Sequence, residues 1–220
     1  MMIKKQNYLK HAIVLFLLLL LMQPERAWAA YENVEFSSLT NHDGLTNSQV
    51  GAILKDTRGY IWFGTQSGLC RFDGFRMKTF YYSNTDDKSL PNNSVDELQQ
   101  DYDGNIWVHT SVGYSIYKYD EEQFERKPEE WLKNIHVQGP PYKLLIDKDK
   151  NMWIAVYGQG LYFHNAKTKN TYLFKFTKKA QLGCLKEGNI SKITEVDCDA
   201  LITYNDGTIC RVNGQKQKVL

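Results

Sequence analysis

Short apolar runs separated by clusters of Asp, Gly and Asn recur along the chain from residue 50 to the carboxyl end. In three successive cycles the second run contains a tryptophan (Trp62, Trp107, Trp153) that follows an aspartate by six residues. The tryptophans are 45 and 46 residues apart. Runs of this length bounded by turn residues are typical of β-strands. A period in the forties predicts one four-stranded antiparallel propeller blade per cycle.

Each cycle predicts the same order of strands. The first strand ends near an acidic residue, a tight turn leads into the tryptophan strand, and a glycine turn leads into the third strand. The predicted first strands are Val50–Leu54, Val95–Leu98, Leu144–Ile146 and Ile190–Val196, and the predicted third strands are Leu69–Phe72, Ser115–Tyr119, Leu161–Phe163 and Thr208–Val212. Outer strands are predicted to follow, for example at Arg76–Tyr82 and Thr171–Phe176.

The predicted fold class is therefore all-β, with about four four-stranded antiparallel blades in an incomplete β-propeller arc. The blades are expected at about residues 46–82, 93–127, 141–177 and 189–220. The fourth repeat is degenerate because Leu201 replaces the tryptophan. A strand predicted at Phe36–Leu39 would suit the last blade of a closed ring. Since closing a ring takes more blades, we expect a truncated reading frame or the amino-terminal piece of a larger protein.

The first 29 residues have the features of a secretory signal peptide. Three lysines precede an unbroken apolar run of 11 residues, Ala12–Met22, and Ala27-Trp28-Ala29 follows as a cleavage signal. The run is shorter than the ~20 residues that a membrane-spanning helix needs, although an uncleaved amino-terminal anchor is the alternative. The propeller domain is then residues 30–220, in which no later stretch suits a membrane span.

The leader accounts for the net positive charge of the chain. The sequence has 27 Lys and Arg against 25 Asp and Glu, and the leader holds four of the former and one of the latter, which leaves a net charge of −1 without it. Composition therefore gives no electrostatic case for nucleic acid as a partner.

The repeated tryptophans and aspartates have structural interpretations as well as functional ones. A large indole in the middle of a strand suits the wedge between two twisted sheets, so we expect the three tryptophans to pack between adjacent blades rather than to stack on a ligand. We expect the aspartates that precede them (Asp56, Asp101, Asp147) to accept backbone N–H bonds in turns. A catalytic or calcium-binding role is the alternative.

Four cysteines in an exported chain raise the question of disulfides. In the fourth repeat the predicted hairpin places Cys210 opposite Ile202 or Thr203, too far from Cys198 for a bridge. The other two cysteines lie in the first repeat and ahead of the fourth, so we favour free, mostly buried thiols. Neither cysteines nor histidines have the spacing of metal ligands, and we expect no metal and no cofactor.

Connections between blades and turns between second and third strands rim one face of a propeller, which is the usual ligand surface. Amides, a serine and a tyrosine are predicted around this mouth. They are Asn47, Gln66, Asn92, Asn93, Ser111, Tyr157 and Gln159. Amides donate and accept hydrogen bonds and a tyrosine ring can cover a sugar ring, so the set suits the hydroxyls and the ring of a sugar. The same residue types are also ordinary loop formers.

Trp131 lies in the connection that leaves the second blade. It could be an exposed platform for a sugar, but we expect it to pack at the edge of a blade. No local motif pairs a nucleophile with a base, so no catalytic residue is predicted.

Several stretches of the sequence resemble the two-component regulator propeller repeat. They are Phe36–Leu45, Val50–Asp56, Gly59–Gly74 and Ser89–Val95. The resemblance is specific in the first repeat and looser afterwards.

This resemblance implies the periplasmic sensor region of a hybrid two-component histidine kinase, whose propellers pass a ligand signal across the membrane to a kinase. Ligands of that family are typically oligosaccharides. The chain contains no kinase motif, so the resemblance implies a non-catalytic amino-terminal part of such a sensor. Its partners would be an oligosaccharide and the further blades or domains of a longer parent chain.

Two other functions remain open. The chain could be a stand-alone exported propeller that acts as a binding or scaffold module. It could also be a propeller glycan lyase or hydrolase, which would be favoured by two carboxylates roughly 5–10 Å apart in the central channel. The repeated aspartates are expected on the face opposite the mouth, which is the wrong place for that chemistry.

Overall fold

A computed structural model describes residues 38–177 and 185–220, and within these ranges the chain consists mainly of β-strands. The signal peptide predicted for residues 1–29 lies outside the described residues, as do Cys184 and the first half of the strand predicted at Phe36–Leu39. No helix in the described ranges is long and apolar enough to cross a lipid bilayer.

In the described ranges the strands form four sheets, in each of which four consecutive strands pair antiparallel in chain order. This confirms the prediction of four-stranded propeller blades. Blade 1 comprises β1 (Val50–Lys55), β2 (Ile61–Thr65), β3 (Gly68–Phe72) and β4 (Met77–Phe80), and blade 2 comprises β5 (Val95–Gln100), β6 (Ile106–Thr110), β7 (Gly113–Lys118) and β8 (Gln123–Glu125). Blade 3 comprises β9 (Pro141–Ile146), β10 (Met152–Val156), β11 (Gly160–His164), β12 (Thr171–Thr177) and β13 (Leu185–Lys186), and blade 4 comprises β14 (Ile190–Val196), β15 (Asp199–Tyr204), β16 (Ile209–Asn213) and β17 (Lys218–Val219).

Blade 3 differs from the other blades by the short strand β13, which pairs in parallel with the end of β12. The sequence did not predict this fifth strand. Two residues with no alternating pattern give no periodic signal.

The register of each sheet decides which side chains face the next blade. In blade 1, Trp62 on β2 lies opposite Leu54 on β1 and Arg71 on β3. Side chains alternate along a strand, so these three share one face, and Ile53 and Phe63 lie on the other. The tryptophan face is the one that meets blade 2.

Hydrophobic clusters between successive blades form the core. The ring of Trp62 is fully buried, with its centroid 5.1 Å from that of Tyr117 in blade 2. Trp107 is buried in the cluster that blades 2 and 3 share, and Trp153 in the cluster that blades 3 and 4 share. The predicted packing of the tryptophans between blades is confirmed, and each truncation to alanine is expected to cost about 3–5 kcal/mol.

The connection from blade 2 to blade 3 forms a short helix, α1 (Pro128–Leu132), which a single 3-10 turn continues. Pro128 stands in the first turn, where its missing N–H removes no helical bond. The centroid of the Trp131 ring lies 5.4 Å from that of Trp107 and 6.2 Å from that of Tyr102. Trp131 therefore packs against the edge of the blades, as expected.

The first two strands of blade 4 are joined by a shorter turn than those of the other blades. A two-residue turn, Asp197-Cys198, joins β14 to β15, with a φ of 56° at Asp197. Glu195, which aligns in sequence with the turn aspartates, therefore lies inside β14 opposite Ala200. The shorter turn shifts the strand pairing by one residue relative to blade 1.

The described cysteines, Cys70, Cys198 and Cys210, are free thiols. Cys70 is buried and Cys210 is half-buried opposite Ile202, one of the two registers predicted for that hairpin. Cys198 is exposed because it lies in the two-residue turn of blade 4.

Candidate ligand-binding face

Turns between second and third strands lie beside the connections that enter the blades. In blade 1 the N–H of Gly68 donates to the carbonyl of Asn93 across 2.8 Å, and in blade 4 the N–H of Asn205 donates to the carbonyl of Asn189 across 3.0 Å. These contacts join the two kinds of loop. We call this side of the blades the mouth face, and it comprises residues 47–49, 66–67, 91–94, 111–112, 138–140, 157–159, 188–189 and 205–207.

Three of the predicted site residues use their amides to build the connections of the mouth face. The Oδ1 atom of Asn47 accepts from the N–H of Gln49 at 2.7 Å. The Oδ1 atom of Asn92 accepts from the N–H of Ser94 at 2.8 Å, and that of Asn93 accepts from the N–H of Tyr82 at 2.7 Å. The bonds of Asn47 and Asn92 stabilise turns, which is the ordinary role of Asn in loops, and that of Asn93 joins two parts of the connection between blades 1 and 2.

Gln66 and Ser111 have exposed side chains on the mouth face. The Oε1 atom of Gln66 accepts from the hydroxyl of Ser94 at 2.9 Å and so connects blade 1 to the entry of blade 2. A shallow cleft beside it is lined by Ser48, Gln49, Val50, Gly51 and Gln66.

Gln159 and Tyr157 belong to one turn of blade 3 and have different environments. Gln159 donates from Nε2 to the carbonyl of Gln138 at 2.8 Å and accepts from the hydroxyl of Tyr162 at 2.5 Å, so both polar atoms of its amide have a partner. The side chain of Tyr157 is 63% exposed. Its ring stacks on Tyr142, with centroids 3.9 Å apart and planes inclined by 19°.

A groove adjoins this stack at the junction of blades 3 and 4. The hydroxyl of Tyr142 accepts from the N–H of Ile190 at 3.4 Å, one residue beyond the groove. The groove is lined by Lys186, Glu187, Gly188, Asn189, Tyr204, Asn205 and Asp206. Lys186 forms an ion pair with Asp206, and this hydrogen bond holds the pKa of Asp206 well below its usual range.

Tyr204 is almost fully buried beside the groove. Its hydroxyl has no hydrogen-bond partner among the described residues. Burial raises its pKa, and the nearby backbone of Lys186 opposes this. A buried hydroxyl without a partner costs about 1–3 kcal/mol. Such a group is a sign that a water or a ligand completes the site.

The structure groups the predicted site residues by junction. Gln66 and Asn93 lie together between blades 1 and 2, and Tyr157 and Gln159 lie in one turn of blade 3. Sequence reasoning missed Tyr142, Tyr204, Asn189 and Asn205. Tyr204 immediately precedes the predicted Asn205-Asp206-Gly207 turn, so its position near the mouth face could have been predicted from the sequence. The unpaired state of its hydroxyl could not be predicted, because it depends on packing between two blades.

The repeated aspartates lie at the other ends of the strands and hold the tryptophans. The Nε1 atoms of Trp62, Trp107 and Trp153 donate to the Oδ2 atoms of Asp56, Asp101 and Asp147 at 2.7, 2.9 and 3.3 Å. The same carboxylates accept backbone N–H bonds in their turns, as predicted. Burial raises the pKa of Asp101, although its bonds from Asn105 and Trp107 oppose this.

Two stretches of the chain, residues 44–67 and 89–111, match the family described as two component regulator propeller. Over 61 residues the chain is 41% identical to Histidine kinase P4 of Formosa agariphila, a match that covers 28% of this chain and 4% of that protein. The chain therefore carries repeats of the two-component regulator propeller type.

The fold is similar to two solved extracellular domains from B. thetaiotaomicron. One belongs to the putative hybrid two component system BT3049, with a TM-score of 0.58 and 22% identity over 84% of this chain and 26% of that one. The other belongs to the putative one component system BT4673, with a TM-score of 0.54 and 16% identity over 84% of this chain and 27% of that one. This chain thus spans about a quarter of the length of either structure.

Proposed function

We propose that this chain is part of the ligand-sensing propeller of a two-component signal transduction system. It binds an oligosaccharide at the mouth face and catalyses no reaction on it. The main support is the match of the first two repeats to the two-component regulator propeller family, together with a fold similar to that of extracellular domains of such systems.

The use of the carboxylates supports binding rather than catalysis. Asp56, Asp101 and Asp147 accept from indole and backbone N–H groups and lie away from the mouth face. A glycoside hydrolase of the usual kind needs two carboxyl groups free to act on one glycosidic bond. The repeated aspartates are already hydrogen-bonded to indole and backbone N–H groups, so they are not available for this role.

Further blades or domains of a longer parent chain are the proposed protein partners. Among the described residues, blade 1 has no blade against its Ile53 face and blade 4 has none against the face that carries Ile209. In a propeller, such sheet faces are normally covered by the next blade. We also propose that residues 1–29 direct export to the periplasm, where such a sensor meets its ligand.

Calorimetric titration of the full chain with cellohexaose, laminarihexaose, xylohexaose, mannohexaose and maltohexaose tests the proposal. We expect saturable binding of at least one of them, with the sugar recovered intact by chromatography. If none of the five binds, the oligosaccharide function is contradicted. Shortened or unsaturated products would instead support the lyase or hydrolase alternative.

A further inference from the structure

The junction of blades 3 and 4 has the features of a built binding site on the mouth face. It combines an exposed aromatic ring, two exposed amides and a buried hydroxyl that lacks a partner. We call this junction the Tyr157 groove. It comprises the cavity lined by Asn189, Tyr204, Asn205 and the Lys186–Asp206 ion pair, together with Tyr157, whose stacking partner Tyr142 accepts from the N–H of Ile190 next to Asn189.

Tyr157 is held in place while one side of its ring remains open. An exposed tyrosine normally samples several rotamers, but this ring lies on Tyr142 with centroids 3.9 Å apart. Tyr142 is fixed in turn by the bond from the N–H of Ile190 to its hydroxyl. A ring immobilised before binding loses little conformational entropy when a ligand covers it. The C–H face of a sugar ring is a suitable cover for such a flat apolar surface.

The polar groups beside this ring favour a neutral, hydroxyl-rich ligand. Asn189 and Asn205 are exposed, and each amide can both donate to and accept from hydroxyl groups. The one cation of the groove, Lys186, is paired with Asp206, and the lining also contains the carboxylate of Glu187, so the groove offers no free positive charge to an anion. The Tyr204 hydroxyl lacks an acceptor among the described residues, and a ligand hydroxyl that enters the groove would provide one.

We propose that the Tyr157 groove is the saccharide subsite of this propeller, in which one neutral sugar ring lies on Tyr157 and its hydroxyls bond to Asn189, Asn205 and Tyr204. This inference rests on the proposed function, because it identifies where on the mouth face the oligosaccharide is held. The cleft beside Gln66 is a separate part of that face and has no exposed aromatic ring in its lining.

The test uses the hexasaccharide that binds the full chain most tightly in the titration described above. Replacement Tyr157→Ala removes the platform, and we expect a loss of affinity of roughly tenfold or more. Tyr157→Phe keeps the ring and should bind within about twofold of the wild type. Phe75→Ala is the matched control, since Phe75 is a 94% exposed aromatic in the β3–β4 turn, away from the mouth face.

Tyr204→Phe gives a second and independent result. Removal of an unpaired buried hydroxyl should leave the urea midpoint unchanged or higher, while affinity for the hexasaccharide falls roughly threefold or more. If Tyr204 had a purely structural role, the affinity would not fall while the urea midpoint stayed unchanged or rose. Wild-type affinity in this variant would contradict the role of its hydroxyl in the site.

The outcomes distinguish failure of the subsite from failure of the function. If a hexasaccharide binds and Tyr157→Ala retains wild-type affinity, or Phe75→Ala loses as much, the groove is not the subsite and the proposed function stands. If no hexasaccharide binds the wild type, the proposed function fails and the subsite fails with it.

Discussion

Single residues explain why the repeat keeps a spacing of six between aspartate and tryptophan. In blade 1, Oδ1 of Asp56 accepts from the N–H groups of Arg58 and Tyr60, which closes the turn. Its Oδ2 accepts from the indole of Trp62 on the returning strand. An indole N–H can only donate, so a buried indole needs an acceptor. One carboxylate therefore shapes the turn and satisfies the largest core side chain.

Replacement of Asp101 by alanine should be strongly destabilising. The Trp107 indole and the N–H of Asn105 would lose their acceptor in a buried site, for which we expect a loss of about 2–4 kcal/mol in unfolding free energy. Urea denaturation followed by tryptophan fluorescence measures this loss. Asp103→Ala, at an exposed position of the same turn, is the control and should change stability by less than about 0.5 kcal/mol. Equal effects of both changes would refute the role given to the Asp101 carboxylate.

His164 should make the stability depend on pH below neutrality. Its Nδ1 bonds Thr171 Oγ1 at 2.9 Å, and Thr171 donates to the carbonyl of Ile135, so Nδ1 carries the proton. Its Nε2 is buried without a partner among the described residues. Burial lowers the pKa of His164, nearby Lys169 and His136 lower it further, and Asp103 opposes them.

The lowered pKa fixes the sign of this effect. The unfolded chain takes up a proton near pH 6.5, before the folded chain does, so the contribution of His164 is complete above that pH and is lost as the pH falls towards the lowered folded pKa. Each unit of lowering corresponds to about 1.4 kcal/mol. We expect urea midpoints measured from pH 8 to pH 5 to fall less steeply in His164→Gln than in the wild type. His42→Gln, at an exposed histidine ahead of blade 1, is the control and should keep the wild-type slope.

At the scale of secondary-structure elements, glutamines on β5 connect blade 2 to both neighbours. The amide of Gln100 accepts from the N–H of Thr57 and donates to the hydroxyl of the same residue, each at 3.0 Å, across the boundary to blade 1. Gln99 accepts from the N–H of Ile146 and donates to the carbonyl of Leu144 on β9 of blade 3. Adjacent residues point to opposite faces of a strand, so a Gln-Gln pair can reach both blades.

Two glycines at the start of third strands differ in how closely the outer strand packs against them. Gly113 and Gly160 occupy equivalent positions, with φ of 115° and 151°. A Cβ at Gly160 would lie 2.1 Å from the carbonyl oxygen of Phe174 on β12, whereas a Cβ at Gly113 would meet no atom within 4 Å. Gly160→Ala should therefore cost more than Gly113→Ala, which carries only the backbone strain of about 1–3 kcal/mol. Thermal unfolding of both variants measures the difference, and equal losses would contradict the steric argument.

At the scale of the whole molecule, the blades of the described ranges contact one another in chain order through the three tryptophan-centred clusters. Each cluster needs two blades, so no blade buries its apolar face alone. The first and fourth blades consequently present apolar side chains on faces that none of the described blades covers. Ile53 is 67% exposed and Ile209 is 58% exposed.

These two faces should cause the 220-residue chain to associate with itself. Apolar sheet faces and unpaired sheet edges favour contacts between chains. We expect sedimentation velocity to show a sedimentation coefficient that rises with protein concentration. The double variant Ile53→Lys and Ile209→Lys should reduce this rise, whereas Lys substitution at the exposed Val112 should not. A chain that remains monomeric at high concentration would contradict this prediction.

The candidate site was less predictable than the fold. Tyr157 could be found because it lies in a glycine turn whose side of the blade follows from strand order. Its partner Tyr142 lies 15 residues away on another strand, and no periodic pattern links the two. Asn47, Asn92 and Asn93 fit the predicted face, and only the structure shows that their oxygens accept from backbone N–H groups of the loops.

The sequence by itself determined the antiparallel blades, the repeat period and the placement of the tryptophans between sheets, because these depend on local alternation and on turn residues close in the chain. Only the tertiary structure decided what lies between blades: the indole–carboxylate bonds, the glutamine links and the groove at Tyr157. Those contacts join residues on separate strands or blades, and their geometry depends on sheet twist and on blade-to-blade packing. Neither quantity is encoded in a local pattern of apolar and polar residues.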